Sequence, residues 1–489
     1  MTRLGRLLLT AFACTALAAC AATSVPFSQT ERDAAAARMM RDIEVLASDE
    51  FGGRRPGTPG GERTVSYLIS RMQAIGLESG TNDPGSAWRA PVELVSTQPL
   101  DHTITVRTGR RTTTLPLRES AAYSLNSRVL IDGVQVVFIG DGSREVSADE
   151  LTGRIVVMTQ DEGDPAAREA IFAANPAAII SVVADEAALD AERARFERER
   201  LLLAGSDDDR LNAFVTRTAF ANALPTGEWD RLLALAAAPE FRSEVMATTI
   251  AIDVHSTRRK FTSANVIGLI PGQVRGSGAV LLMAHWDHFG ECAPGTPDTI
   301  CNGAVDNASG LALMLELAAR LKATGPHDRD IYLLATSAEE AGLLGAKAFI
   351  DSPPMPLESI EAAFNFDSVA IAPAGGNFGF VGEGRTRLDA IVQEAVSKRG
   401  VELGNREFAE SFLQRHDGWV LLEAGVPAVL VSTAFASEIV MGPYLASRYH
   451  KPGDEVRAIE MGGAVDDLLL HEELVTRLAS ASGDTSPSQ

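Results

Sequence analysis

Ala279-Val280-Leu281-Leu282-Met283-Ala284-His285-Trp286-Asp287-His288 decides the fold of this chain. Its opening residues form an unbroken apolar run, which suits a strand buried on both faces. The run ends abruptly in two imidazoles and a carboxylate. The same pattern recurs on either side. Asn265–Ile270, Ile331–Thr336, Ala362–Phe366 and Ala428–Ser432 read as further buried strands. Ser309–Lys322, Leu343–Ile350, Leu388–Lys398 and Trp419–Ala424 read as helices between them. Strands alternating with helices predict an α/β fold, with a mostly parallel central sheet flanked by helices. In such sheets ligands bind beyond the carboxyl ends of the strands.

Polar residues gather at those ends. Asp306 opens the helix that starts near Ser309, Glu339-Glu340 follows Ile331–Thr336, and Asp367 follows Ala362–Phe366. His450 follows the last strand. Each has an ordinary reading alone: Asp306 as a helix cap, the glutamates as a solvated face, each histidine as a core or surface residue. Taken together, two imidazoles and three carboxylates on one rim are hard to explain that way. Crowded carboxylates raise one another's pKa, and a divalent cation removes that cost. Imidazole and carboxylate without cysteine suit zinc. The charge of two zinc ions balances Asp306, Glu340, Asp367 and one hydroxide.

These segments, Gly303-Ala304-Val305-Asp306-Asn307-Ala308-Ser309-Gly310, Asn365-Phe366-Asp367 and Tyr449-His450-Lys451-Pro452-Gly453-Asp454 resemble the co-catalytic di-zinc aminopeptidases of the bacterial leucyl aminopeptidase and glutamate carboxypeptidase type. Leu46-Ala47-Ser48-Asp49-Glu50-Phe51-Gly52-Gly53-Arg54, with Gly57-Thr58, is similar to that family's opening segment. The resemblance implies two zinc ions bridged by Asp306. His285 and Asp367 would complete one site, and Glu340 and His450 the other. Asp287 would hold the His285 imidazole, Glu339 would be the general base, and a metal-activated water would attack the peptide carbonyl of a peptide substrate. The Asp306-Asn307 bond is often cis in such enzymes.

The pattern departs from the family at Arg415-His416-Asp417-Gly418, where members often show Ser-Asp-His. His416 replaces Ser and Gly418 replaces His, which bears on substrate recognition rather than on the metals. Arg415 is a candidate to orient a substrate carbonyl or carboxylate, or else a structural ion pair. Tyr444 and Tyr449 are candidates to stabilise an oxyanion. Alternatives on the same fold are a carboxypeptidase, which needs a cationic pocket, a dipeptidase, and a one-zinc acyltransferase. A catalytically silent binding ectodomain is a further alternative, but such relatives typically lose ligands.

Working outward, Arg3 and Arg6 precede an apolar run from Leu7 to Ala19 that ends in Leu17-Ala18-Ala19-Cys20. This resembles a bacterial lipoprotein signal, cut before a cysteine that is then acylated. It implies an exported protein, periplasmic or anchored to the outer membrane, touching the membrane only through a lipid on Cys20. Of four cysteines, Cys292 and Cys301 then remain, and an oxidising compartment favours a disulfide between them. The formal charge of -21 argues against nucleic-acid partners. At 489 residues, and roughly 100–200 residues per domain, several domains are expected.

Their boundaries read as a signal peptide over 1–19, a tether over 20–33, and a di-zinc peptidase domain over 34–111 plus 254–478. An inserted mixed β/α module over 112–253 resembles a protease-associated domain, and 479–489 is a polar tail. Ala34–Ala47 and Glu62–Ile75 are predicted helices, the second closed by Gly76. Within and beside the insert, Thr103–Arg107, Val134–Ile139 and Arg154–Met158 read as strands. Ala166–Ala174, Glu186–Leu203 and Glu228–Ala238 read as helices.

Overall fold

A computed structural model of the chain describes residues 28–159, 165–206 and 210–482. The predicted signal peptide and Cys20 lie outside the described residues. The first helix, Gln29–Leu46, begins earlier than expected. The Ser28 hydroxyl accepts the Glu31 N–H while the Glu31 carboxylate accepts from the Ser28 N–H, a reciprocal cap. Residues 29–33, read as tether, are therefore helical. Met39, Ile43 and Leu46 of this helix enter the core. Helix Pro59–Ile75 starts three residues before the expected Glu62, because Thr58 caps it and proline suits its first turn, and it ends at Gly76 with φ +87°, as its sequence predicts.

Six strands form the first half of a long sheet, in the order Gly379–Val381, Ala428–Ser432, Ile360–Asn365, Ala279–His285, Asp330–Thr336 and Glu244–Ile270. The inner four are mutually parallel, and the first and last run antiparallel to their neighbours. Met283 pairs with Asn365 and His285 with Thr336, so the carboxyl ends of the central strands finish level. Helices cover both faces. One face carries the main core around Leu68, Leu282, Leu313 and Phe364; the other carries a smaller core around Leu281, Phe349 and Leu421.

The two longest strands are Arg89–Thr108, with 20 residues, and Glu244–Ile270, with 27. They pair antiparallel along most of their length. Glu244–Ile270 also pairs with Arg128–Phe138, through which the sheet continues into the parallel strands Ile155–Thr159, Ala178–Val183 and Leu211–Thr216. A separate core around Ile104, Phe138, Ile180, Trp229 and Ile252 fills this half. The boundary read at 253/254 falls inside a strand. The exposed Thr257-Arg258-Arg259-Lys260 stretch, which breaks the apolar pattern in sequence, is the point where the ribbon passes from one core to the other.

Two elements differ from expectation. The helix predicted over Glu186–Leu203 stops at Phe196, and Arg200–Leu203 is a strand. Leu201–Leu203 find backbone partners along Leu94–Ser96, and that edge pairing outcompetes continuation of the charged helix. Helix Met461–Leu478 was not foreseen, because its Met461-Gly462-Gly463 start reads as loop. A Cβ on Gly463 would lie 2.4 Å from Thr433 Oγ1, so close packing requires the glycine. No helix among the described residues is long and apolar enough to cross a membrane.

Candidate metal centre

Every one of the five predicted ligands stands just beyond the carboxyl end of a central strand or on a loop that reaches the same rim. His285 is the last residue of its strand. Its Nδ1 lies 3.1 Å from the main-chain oxygen of Asp287. A carbonyl only accepts, so Nδ1 carries the proton and Nε2 presents a lone pair. That Nε2 is buried and has no aligned hydrogen-bond donor. It lies 3.2 Å from Asp306 Oδ1 and 3.7 Å from Asp367 Oδ1. On the other side, His450 Nε2, likewise buried and unsatisfied, lies 3.3 Å from Asp306 Oδ2 and 3.2 Å from Glu340 Oε2. Asp306 thus faces one imidazole with each oxygen.

These distances test the fit of a metal. A tetrahedral ion with bonds of about 2.0–2.1 Å spaces its donors about 3.3 Å apart. The His285–Asp306, His450–Asp306 and His450–Glu340 separations match that edge. His288, not assigned a role from sequence, does not: its Nδ1 is 2.6 Å from Glu340 Oε1 and 4.0 Å from Asp306 Oδ2. The shorter contact is a hydrogen bond, so His288 orients Glu340. In two groups of residues the donor atoms lie within 4.8 Å of one another, His285, Glu339 and Asp367 in one and His288, Asp306 and Glu340 in the other, the second including His288 through its hydrogen bond to Glu340.

The backbone is arranged around Asp306. The Asp454 carboxylate accepts the Val305 and Asp306 N–H groups, each at 3.0 Å, and the Tyr444 hydroxyl at 3.1 Å. The Asp306–Asn307 peptide is cis. The Asn307 amide donates to the Phe366 carbonyl, and its oxygen accepts from Gly310 and Ser368, which ties this loop to the one bearing Asp367. Ala338, Leu343, Ser368 and His450 have positive φ, and so does Arg54. Strained backbone is thus concentrated on the loops of the rim.

Asp287 departs from its expected role. Its carboxylate is 4.0 Å from His285 Nδ1 and instead accepts the Glu339 N–H at 3.0 Å. The main-chain carbonyl of Asp287 holds the imidazole, because the turn after the strand brings that oxygen closer than the side chain. Asp287 therefore fixes both His285 and the Glu339 backbone.

The cluster is short of positive charge. Burial pushes Asp287 up to about 7 and Asp417 up to about 6, and raises Glu339 well above the ordinary glutamate range. Burial acts the same way on Asp306, but hydrogen bonds with His285 and His450 outweigh it and hold that carboxylate well below its usual range. The same contacts overcome burial at His450 and raise it to about 9. Carboxylates that hold protons, beside imidazoles that acquire them, mark a buried site where cations would replace protons.

The rim opens into a cleft of about 440 Å³. Glu339, Glu340 and Asp367 line its floor, and Phe412, Leu430, Phe435, Met441 and Leu445 line an apolar wall. Arg415 lies over the rings of Phe412 and Tyr449 and donates to the Tyr449 hydroxyl at 3.2 Å. It makes no ion pair among the described residues, so the structural alternative for Arg415 is not what the geometry shows. Tyr444 and Tyr449 both line the cleft, and the Tyr444 hydroxyl donates to Asp454 while that of Tyr449 accepts from Arg415. His416 is buried and held neutral, its pKa pushed down to about 4 by burial. Its Nδ1 accepts the Gly418 N–H at 3.1 Å. A Cβ at 418 would come within 2.7 Å of His416 Cε1, so the imidazole at 416 occupies the space a side chain at 418 would need. The two departures from the family pattern are therefore one exchange. Cys292 and Cys301 are joined by a disulfide that closes the hairpin beside this rim.

Comparison with known proteins agrees with this geometry. Residues 265–467 match peptidase family M28. Aminopeptidase YwaD of Bacillus subtilis (strain 168) is 38% identical over 110 residues, 22% of each chain. The alkaline phosphatase isozyme conversion protein of Escherichia coli (strain K12) is 42% identical over 73 residues, 14% of this chain and 21% of that protein. The matched stretches thus span about a fifth of these curated relatives. In three dimensions the chain is similar to the aminopeptidase from Aneurinibacillus sp. strain AM-1, with a TM-score of 0.58 at 20% identity over 93% of this chain and 96% of that one. The segment 265–467, which matches peptidase family M28, contains all five predicted ligands, Glu339 and Asp287.

Proposed function

We propose that the protein is a zinc-dependent exopeptidase that removes N-terminal residues from peptides. The observation that carries this reading is Asp306, placed between His285 and His450 at the spacing of metal-bound donors. Two zinc ions fit: His285, Asp306 and Asp367 would hold one, and Asp306, Glu340 and His450 the other. When bound, zinc supplies Lewis acidity and eases loss of a proton from water. Glu339, on the cleft floor with its backbone fixed by Asp287, takes that proton on its carboxylate and returns it to the leaving amine. The Bacillus subtilis relative is an aminopeptidase, which favours release from the amino end. The apolar wall suits an apolar first side chain, and Arg415 with Tyr449 suits the carbonyl next to the scissile bond.

The position of Arg415 supports a second reading, a dipeptidase in which the guanidinium takes the free carboxylate of a short substrate. The test is hydrolysis of unblocked, N-acetylated and C-amidated peptides of leucine and lysine. The aminopeptidase reading predicts cleavage of unblocked and C-amidated leucyl peptides, loss of cleavage on N-acetylation, and a preference for leucine. Loss on C-amidation favours the dipeptidase. Cleavage of N-acetylated peptides alone would contradict both. This reading includes export and acylation at Cys20, and a protease-associated module between about residues 112 and 253.

A further inference from the structure

Arg54 is buried completely, and among the described residues it pairs directly with no carboxylate. Its guanidinium donates to five main-chain oxygens: Leu46 at 2.9 Å, Trp286 at 2.9 Å, Asn302 at 2.5 Å, Gly303 at 3.0 Å and Asp306 at 3.4 Å. These oxygens belong to three separate stretches of chain. One ends the first helix. The second lies between His285 and Asp287. The third is the turn that delivers Asp306. Such a turn leaves carbonyls pointing inward, where an unpaired oxygen is costly. A planar fork with five N–H donors can satisfy all of them at once, and an ammonium cannot.

The setting is built for this side chain. Gly303 has φ +60°, and a Cβ there would lie 2.8 Å from Arg54 Nη2 and 2.7 Å from His288 Cδ2. The absence of a side chain at 303 lets both groups pass beneath the ligand turn. The charge is accommodated by Asp306, Asp454, Asp287 and Glu340, whose attraction opposes the cost of burial. A cation behind a metal centre also repels the metal, so its retention there calls for a positional gain.

We infer that Arg54 is a positioning residue of the metal centre, whose guanidinium fork locks the His285 and Asp306 segments in their binding geometry before any metal arrives. It acts through main-chain atoms and touches neither metal nor substrate. The inference rests on the zinc reading given above, and the experiment separates the two. Metal-free wild-type, Arg54→Lys and Arg54→Gln proteins are titrated with Zn²⁺ in competition with a zinc-indicator dye. Leu68→Ala, a core substitution in helix Pro59–Ile75, serves as a control for simple destabilisation. Loss of a group that orients metal ligands typically costs about 10–100-fold in affinity. Both Arg54 variants are expected to fall by that factor, including the lysine variant that keeps the charge, while Leu68→Ala stays within about twofold of wild type.

Wild-type affinity in Arg54→Lys would overturn the inference, and so would tighter binding in Arg54→Gln, which would make charge rather than position the dominant effect. Failure of wild type to bind zinc would instead overturn the zinc reading. If a variant does not fold without metal, it is refolded across a range of zinc concentrations. Recovery at high zinc supports the inference, and no recovery at any zinc level contradicts it.

Discussion

Glu339 and Glu340 are adjacent and do different things. Glu340 is held between His288 and His450, whereas Glu339 reaches the cleft floor on a backbone fixed by Asp287. Substitution of Glu339 by alanine should leave zinc content unchanged and lower kcat by about 10²–10⁴-fold, the range lost with a general base. A metal-loaded variant with normal turnover would remove Glu339 from that role. His288→Phe keeps a ring in the slot but loses the donor to Glu340. Zinc affinity should fall about tenfold in a chelator competition, and an unchanged value would make His288 a packing residue only. Among the candidate ligands, His285, Glu340 and Asp367 stand out in the sequence because each is polar at or just after the end of an apolar strand, whereas Asp306 opens a helix and His450 follows helix Glu438–Ser447. Arg54, His288 and Asp454 do not stand out. Their partners are main-chain atoms or side chains far away in sequence, and no local pattern announces such contacts.

Elements were legible where periodicity and a terminating glycine agreed, as at the Gly76 end of Pro59–Ile75, whose Thr58-capped start the sequence reading placed three residues late. Met461–Leu478 was hidden by its glycines, yet it bears a buried acid. The Asp467 carboxylate accepts the Ser432 hydroxyl at 2.6 Å and the Thr433 N–H at 2.7 Å, which joins this helix to the strand Ala428–Ser432. Burial outweighs those bonds and pushes Asp467 up to about 8. In the unfolded chain the group titrates near 4. The folded state therefore holds a proton that the unfolded state has lost, and this group's contribution to stability declines as pH rises from about 4 to about 8. Asp467→Asn cannot titrate. Its Tm should vary less across that window than the wild-type Tm, and an equal slope would show that Asp467 does not titrate there.

For the molecule as a whole, the sequence distinguished two regions of different texture, and among the described residues each half of the sheet has its own core, around Leu282 and Phe364 in one and around Ile104 and Phe138 in the other. It did not reveal that one antiparallel ribbon serves both. The charged Arg258-Arg259-Lys260 stretch looks like a loop, and only pairing with Val95–Thr97 keeps it extended. At the other end, residues 1–20 are read as an export signal and lie outside the described residues. On the lipoprotein reading, intact mass of the cell-derived protein should give a chain that begins at Cys20 and exceeds its polypeptide mass by attached acyl groups. A mass matching an unmodified chain would contradict it.

The central claim is that buried carboxylates and imidazoles from distant segments converge here because zinc neutralises them. Its most direct test is elemental analysis of the purified protein, beside Asp306→Ala, before and after chelation and zinc return. The account predicts about two zinc ions per wild-type chain, marked loss of zinc in Asp306→Ala, and peptidase activity that disappears with chelation and returns with zinc. A wild-type protein that retains no zinc, takes none up, and hydrolyses peptides equally well in chelator would contradict it.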